Sequence, residues 1–512
     1  MSTRPEVFDL IVIGGGPGGS TLASFVAMRG HRVLLLEREA FPRHQIGESL
    51  LPATVHGICA MLGLTDEMKR AGFPIKRGGT FRWGKEPEPW TFGFTRHPDD
   101  PYGFAYQVER ARFDDMLLRN SERKGVDVRE RHEVIDVLFE GERAVGVRYR
   151  NTEGVELMAH ARFIVDASGN RTRVSQAVGE RVYSRFFQNV ALYGYFENGK
   201  RLPAPRQGNI LSAAFQDGWF WYIPLSDTLT SVGAVVSREA AEAIKDGHEA
   251  ALLRYIDRCP IIKEYLAPAT RVTTGDYGEI RIRKDYSYCN TSFWKNGMAL
   301  VGDAACFVDP VFSSGVHLAT YSALLVARAI NTCLAGEMSE QRCFEEFERR
   351  YRREYGNFYQ FLVAFYDMNQ DTDSYFWSAR KIINTEERAN EAFVRLIAGR
   401  SNLDEPVFQS VAKDFFTERE GFGAWFGGLV TSMAKGDGGG LMVGEGATDA
   451  TESTGFAPEN FMQGFTREIT ELQHLAMFGE DRGPETPLWS GGLVPSRDGL
   501  AWAVESGEDA AG

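Results

Sequence analysis

The stretch FDLIVIGGGPGGSTLASFVAMRGHRVLLLERE, near the N-terminus, constrains this chain more than any other. Residues 10–13 are an uninterrupted apolar run, the pattern of a parallel strand covered on both faces. Gly14, Gly16 and Gly19 then supply G-x-G-x-x-G. The first glycine permits a tight turn, the second lets a pyrophosphate approach the backbone, and the third lets the next helix pack on the strand. That helix offers unpaired N–H groups and the positive end of its dipole to phosphates. A second apolar run, residues 32–36, ends in Glu37, eighteen residues after Gly19. At that spacing a carboxylate can accept hydrogen bonds from an adenosine ribose. Together these parts predict a dinucleotide-binding α/β unit.

Composition removes several alternatives. The net charge of −13 opposes a general nucleic-acid surface, which needs clustered Lys and Arg. The six cysteines are scattered without a C-x-x-C pair, so neither a zinc site nor a disulfide framework is expected. The N-terminal apolar strand is too short for a signal h-region, and no uninterrupted apolar run reaches membrane-spanning length. The expectation is a reduced, cytoplasmic protein without stable membrane association. At 512 residues it should form more than one lobe.

Two later segments decide which dinucleotide is bound. FIVDASGNRTRV is an apolar strand ending in Asp166, and GMALVGDAACFVDPVFSSGVHLATYSALLVARAI is a strand, then Gly302-Asp303, then a turn leading into a helix. With QVERARFDDMLL, they resemble the FAD-binding domain of the p-hydroxybenzoate-hydroxylase superfamily over about residues 5–330. The resemblance implies FAD, with Asp303 near its ribityl–pyrophosphate stretch and Arg110 in contact with the flavin. No second strand–glycine–helix unit occurs, because GDGGG (436–440) and GEG (444–446) lack the flanking elements. Reduced nicotinamide could visit transiently, or a separate flavin reductase could deliver reduced FAD; the reading leans to the reductase.

Four further segments narrow the chemistry. GWFWYIPL carries W-x-W-x-I-P, and IGESLLP, KRGGTFRWG and FVDPVFSSG stand in the order expected for flavin-dependent halogenases of the phenol or tyrosyl type, which they resemble. This implies chlorination through a flavin C4a-hydroperoxide and hypochlorous acid. By the resemblance, Lys76 carries electrophilic chlorine, Ser49 stands beside the flavin, and Ser314 and Gly315 bind chloride. Trp219 and Trp221 become a wall that keeps organic substrate from the flavin; alone, they would read as core filler. Tryptophan halogenases carry a glutamate where this chain has Phe312, which argues against free tryptophan as substrate. The implied substrate is an electron-rich phenolic, tyrosyl-like ring, with one tethered to an acyl or peptidyl carrier protein among the forms expected, in antibiotic or other secondary metabolism. An FAD-dependent aromatic hydroxylase and an FAD-dependent polyprenyl reductase share the flavin segments and stand as alternatives. His44 and Glu48 read as scaffolding of the flavin site, and His317 as packing on its helix. No metal-ligand spacing stands out.

The expected fold class is α/β: a Rossmann-like, p-hydroxybenzoate-hydroxylase-type FAD domain with an antiparallel substrate-side sheet and a helical C-terminal region. Residues 1–335 form the first unit, with VALYGYFEN, NILSAAFQDGWFWYIPL and TSVGAVVSRE as strands of the interleaved sheet. Residues 336–512 form the second, where Phe344, Phe347, Tyr351, Tyr355 and Phe358 recur at helical spacing as a seam on the flavin domain. A Gly- and Thr-rich mobile segment is expected near 433–455, and a fraying tail after it.

Overall fold

A computed structural model describes residues 6–82, 89–94, 101–367 and 487–504. The segment 433–455 and the tail beyond 504 lie outside the described residues.

The strand Glu6–Ile13 is central to an eight-stranded sheet. Val33–Leu36 and Asp127–Arg129 extend the sheet on one side, and Glu156–Asp166 and Met298–Leu300 on the other, all in parallel. Residues 10–13 and 33–36 are buried, which is why both runs are apolar without alternation. The helix Pro17–Ala27 starts directly on the glycine turn. Gly14 has φ +101°, and a Cβ on Gly19 would lie 1.9 Å from the Gly14 carbonyl oxygen. These positions admit no side chain. The helix Gly315–Ala335 packs against Pro17–Ala27 and is apolar nearly all round. It is long and apolar enough to cross a membrane, but 83% of its most apolar window is buried inside the protein. It is the core helix.

A nine-stranded sheet forms the second layer. Arg181–Glu197, Leu229–Val236, Gly218–Pro224 and Ile210–Phe215 run antiparallel in that spatial order. The period of two divides the aromatic strand Gly218–Pro224 between two cores. Trp219, Trp221 and Ile223 join the main core, whereas Phe220 and Tyr222 pack with Leu252, Tyr255 and Ile262 from the helices His248–Asp257 and Pro260–Leu266. YGFAYQVER contributes only Ala105–Tyr106, which pairs with Ile75–Lys76 as a two-stranded ribbon.

Beyond residue 335, the helix Glu340–Asp367 lays Phe344, Phe347, Tyr351, Tyr355 and Phe358 into the main core, as their spacing predicts. Residues 487–504 then return to the core helix. The Asn331 side-chain amide donates to the Leu500 carbonyl at 2.7 Å, and the Trp502 backbone N–H donates to Thr332 Oγ1 at 2.8 Å. The guanidinium carbons of Arg328 and Arg350 lie 5.0 and 4.9 Å from the Trp502 ring centroid. Trp502 is 1% exposed, so Trp502→Ala should destabilise the fold by about 3–5 kcal/mol, measured by chemical denaturation.

Candidate active site

A cavity of about 540 Å³ lies between the two layers, lined by Gly14, Gly16, Glu37, Ser49, Arg110, Asp303, Trp219, Trp221 and Gly315 among others. Gly19, Lys76 and Ser314 lie outside its lining. Gly19 sits within the strand–helix contact, Lys76 behind the loop that carries Ser49, and Ser314 just under the N-terminus of the core helix.

Glu37 is held at the cavity edge by two backbone donors. Its Oε2 accepts from Gly15 N–H at 2.6 Å and its Oε1 from Glu39 N–H at 2.8 Å. On the facing wall, Arg110 clamps the loop 46–50. Its guanidinium forks onto both oxygens of the buried Asp114 at 2.7 and 2.9 Å and donates to the Ile46 carbonyl at 2.5 Å. Ser49 is thereby fixed in the lining, with its Oγ buried and unpartnered. Burial pushes Asp303 up to about 6 against the pull of Arg110, Arg181 and Arg283, and pushes Asp166 up to about 6 against hydrogen bonds from Ser168. A glycine turn closed to side chains, a fixed carboxylate beyond it and an orphaned hydroxyl in the lining fit FAD.

The aromatic strand supplies another wall. Trp219 and Trp221 are 1% and 5% exposed, with ring centroids 6.2 Å apart. Trp221 Nε1 donates to Ser231 Oγ at 3.1 Å, and its ring lies over Gly233, where a Cβ would come within 2.2 Å of Cζ2. Both indoles therefore belong to the core and to the cavity wall.

At the cavity edge, the Ser313 backbone turns left-handed with φ +61°, after Asp309 Oδ1 accepts from Val311 N–H at 3.1 Å. The core helix then begins, and a Cβ on Gly315 would meet open space. Ser314 is buried and its Oγ has no partner. A turn that presents helix N–H groups beside an orphaned hydroxyl can hold a small anion.

Lys76 is 2% exposed. Its Nζ donates to the Leu50 carbonyl at 3.0 Å and lies 5.3 Å from the Phe94 ring centroid. No carboxylate among the described residues pairs with it, and burial lowers it to about 7. Leu50 directly follows Ser49, so one residue separates the cavity lining from the amine's acceptor.

Sequence reasoning missed two arrangements. His317 does more than pack on its helix: its Nε2 meets Glu354 Oε1 of the helix Glu340–Asp367 at 2.8 Å, with both side chains buried. His44 and Glu48 do not touch, because Tyr195 from the second sheet stands between them. No local pattern marks either partner, since the links span 37 and 147 residues. As a check on the wall, Gly233→Ala should displace the Trp221 ring, costing about 1–3 kcal/mol and changing the near-ultraviolet circular dichroism.

The tryptophan halogenase family model matches residues 9–101 and 95–435. Tryptophan 2-halogenase from Chondromyces crocatus is 33% identical over 390 residues, covering 75% of this chain and 72% of that protein. The structure of the myxobacterial chondrochloren halogenase CndH, described as a variant of FAD-dependent halogenases, is 87% identical and has a TM-score of 0.76. That match covers 98% of this chain and 100% of that one. The 1H-pyrrole-2-carbonyl-[peptidyl-carrier protein] chlorinase of Pseudomonas fluorescens is 28% identical, covering 71% of this chain and 84% of that protein. With the FAD-type α/β fold, these matches make the chain a member of the tryptophan halogenase family: a flavin-dependent halogenase, an FAD-using oxidoreductase of secondary metabolism.

Proposed function

We propose that this halogenase chlorinates an electron-rich phenolic, tyrosyl-like ring, accepted on a carrier protein, in antibiotic biosynthesis. Chloride is its halide and a separate flavin reductase its source of reduced FAD. Six free cysteines, all buried, fit the reducing cytoplasmic setting in which such a reductase works. The observation that carries the reading is the Lys76 amine, buried one residue behind the cavity lining with no carboxylate partner among the described residues.

When bound, reduced FAD would supply two electrons to dioxygen, and the oxygen so activated would take two more from chloride to give hypochlorous acid. Gly14, Gly16 and Gly19 form its phosphate turn, Glu37 takes the ribose, Ser49 and Arg110 border the flavin, and Asp303 faces the ribityl chain. Ser314 and Gly315 hold chloride on the first N–H groups of the core helix. Trp219 and Trp221 fill the space an organic ring would need to reach the flavin, while a halide passes. Lys76 receives the electrophilic chlorine on its neutral amine and presents it to the ring. Among the described residues no carboxylate pairs with Lys76, and its burial favours the free amine near neutral pH. The peptidyl-carrier chlorinase supports the tethered substrate, as a relative that acts on a carrier-bound ring.

Lys76→Ala should abolish chlorination while reduced-FAD oxidation continues; persisting chlorination would refute the role of the amine. Since the lysine falls from 10.5 to about 7, the ammonium dominates below that pH and the amine above it, so chlorination should rise as pH increases through about 7. Trp219→Ala or Trp221→Ala should retain FAD but divert reducing power to hydrogen peroxide, read as product formed per reduced FAD consumed. Mass spectrometry with chloride, reduced FAD and dioxygen can compare free tyrosine with a tyrosyl-carrier protein. Turnover of the free amino acid alone would remove the tethered substrate.

A further inference from the structure

We propose that His44, Tyr195 and Glu48 form a proton relay along one wall of the flavin cavity, from a partly exposed imidazole that borders the cavity to a buried carboxylate, supplying the proton that halide oxidation consumes. The proposal rests on the halogenase chemistry above. In that chemistry FADH₂, O₂, Cl⁻ and H⁺ give FAD, HOCl and H₂O, and the ring then exchanges its H⁺ for Cl⁺ with release of a second water. Chloride loses two electrons, FADH₂ loses two, and O₂ gains four. One proton per turnover must therefore reach the oxygen that leaves as water.

The chain of contacts is continuous. His44 is half-buried in the loop that leads to Glu48, and its Nε2 lies 2.7 Å from Tyr195 Oη. Tyr195 donates its hydroxyl hydrogen to Glu48 Oε1 at 2.9 Å. That hydrogen is committed to the carboxylate, so His44 Nε2 is the donor to Tyr195 Oη. Glu48 is 2% exposed and lines the cavity, and its other oxygen, Oε2, has no hydrogen-bond partner. The relay thus begins at a partly exposed imidazole and ends at a buried carboxylate that lines the cavity.

Transfer moves protons only. His44 Nδ1 takes a proton from solvent, the Nε2 hydrogen moves to Tyr195 Oη, and the Tyr195 hydrogen moves to Glu48 Oε1. Glu48 becomes a neutral carboxylic acid at the cavity, gives its proton to the oxygen that leaves as water and returns to the carboxylate, and exchange with solvent restores the His44 tautomer. The surroundings fit this division of labour. Burial pushes Glu48 up to about 7, with Ser231, Tyr195 and Arg110 pulling down and Glu109 pushing up. Burial lowers His44 to about 4, helped by Arg281, Arg283 and Arg110 and opposed by Asp276. Tyr195, buried beside Glu48, Tyr193 and Tyr277, is raised well above its ordinary value. Of the three, only Glu48 changes charge near neutrality; the other two pass the proton while remaining neutral.

Tyr195→Phe removes the central hydroxyl and keeps the ring. In the oxidised, FAD-loaded protein without halide, infrared difference spectra should show a carboxyl band that titrates near neutral pH and is absent in Glu48→Gln. Tyr195→Phe should shift that band to higher pH, because the carboxylate loses a donor. In turnover, Tyr195→Phe should reduce chlorinated product per reduced FAD by about tenfold or more. Small permeant acids such as imidazolium should restore the yield as their concentration rises, with FAD affinity, read by flavin fluorescence, unchanged. His44→Gln, at the partly exposed end, should behave alike and serves if Tyr195→Phe does not fold. A band that does not titrate, a yield unaffected by both variants, or a loss that added acid cannot rescue would each overturn the path. If the unmodified protein chlorinates no ring, the chemistry above fails instead, and the infrared titration still judges the path.

Discussion

The fork between Arg110 and Asp114 is the contact on which the cavity's geometry depends. Both side chains belong to the helix Arg110–Arg123, at its first residue and four positions on, and Asp114 is fully buried. The guanidinium uses one edge on the carboxylate and turns its remaining nitrogen to the carbonyls of Ile46 and Gly47. Gly47, with φ +98°, holds a backbone conformation that L side chains rarely adopt, and a Cβ there would press on that nitrogen at 2.9 Å. A planar, permanently charged fork can bind an acid and a backbone turn at once, which a lysine at this position could not do. Arg43 adds a second donor to Asp114 at 2.8 Å and ties the start of the same loop to the helix.

Consecutive residues of that loop then serve different purposes. Glu48 and Ser49 face the cavity, and the carbonyl of Leu50 holds the lysine. The loop passes into the π-helix Ala53–Ile58, which packs on the core helix whose N-terminus forms the turn at Ser314 and Gly315. Flavin side, lysine and turn are therefore coupled through a dozen residues of backbone. Such wide-turned helices often accompany functional sites, because the extra residue re-aims neighbouring side chains.

The parts of this organisation legible in the sequence are those carried by local pattern. Strand, glycine triplet, helix and Glu37 form a unit within about thirty residues, and each demand on it is set by neighbours in the chain. The alternation of GWFWYIPL correctly indicates a strand, but not that Phe220 and Tyr222 serve a separate core. Contacts between distant elements were not legible. Tyr195 links two residues of one short loop from a strand of the other sheet, and any aromatic at that point would keep the alternating pattern. Glu354 reads as a charged position on a solvated helix face; it is buried against His317 only because two helices meet there. Lys76 was visible by its motif, but its setting, an amine held by one carbonyl and one ring, required the fold.

The return of residues 487–504 to the core helix affects the order in which the molecule can form during synthesis. The sheets, the glycine turn and the core helix all precede residue 336 and can assemble as soon as they leave the ribosome. Until Trp502 arrives, however, the groove between Arg328 and Arg350 holds two guanidinium groups without the ring they flank. Closing it requires a contact about 170 residues long in sequence, and such distant contacts are slow to form. The nascent chain would thus pass through a stage with its cofactor pocket built but this groove still open, exposed to chaperones until residue 504 has emerged.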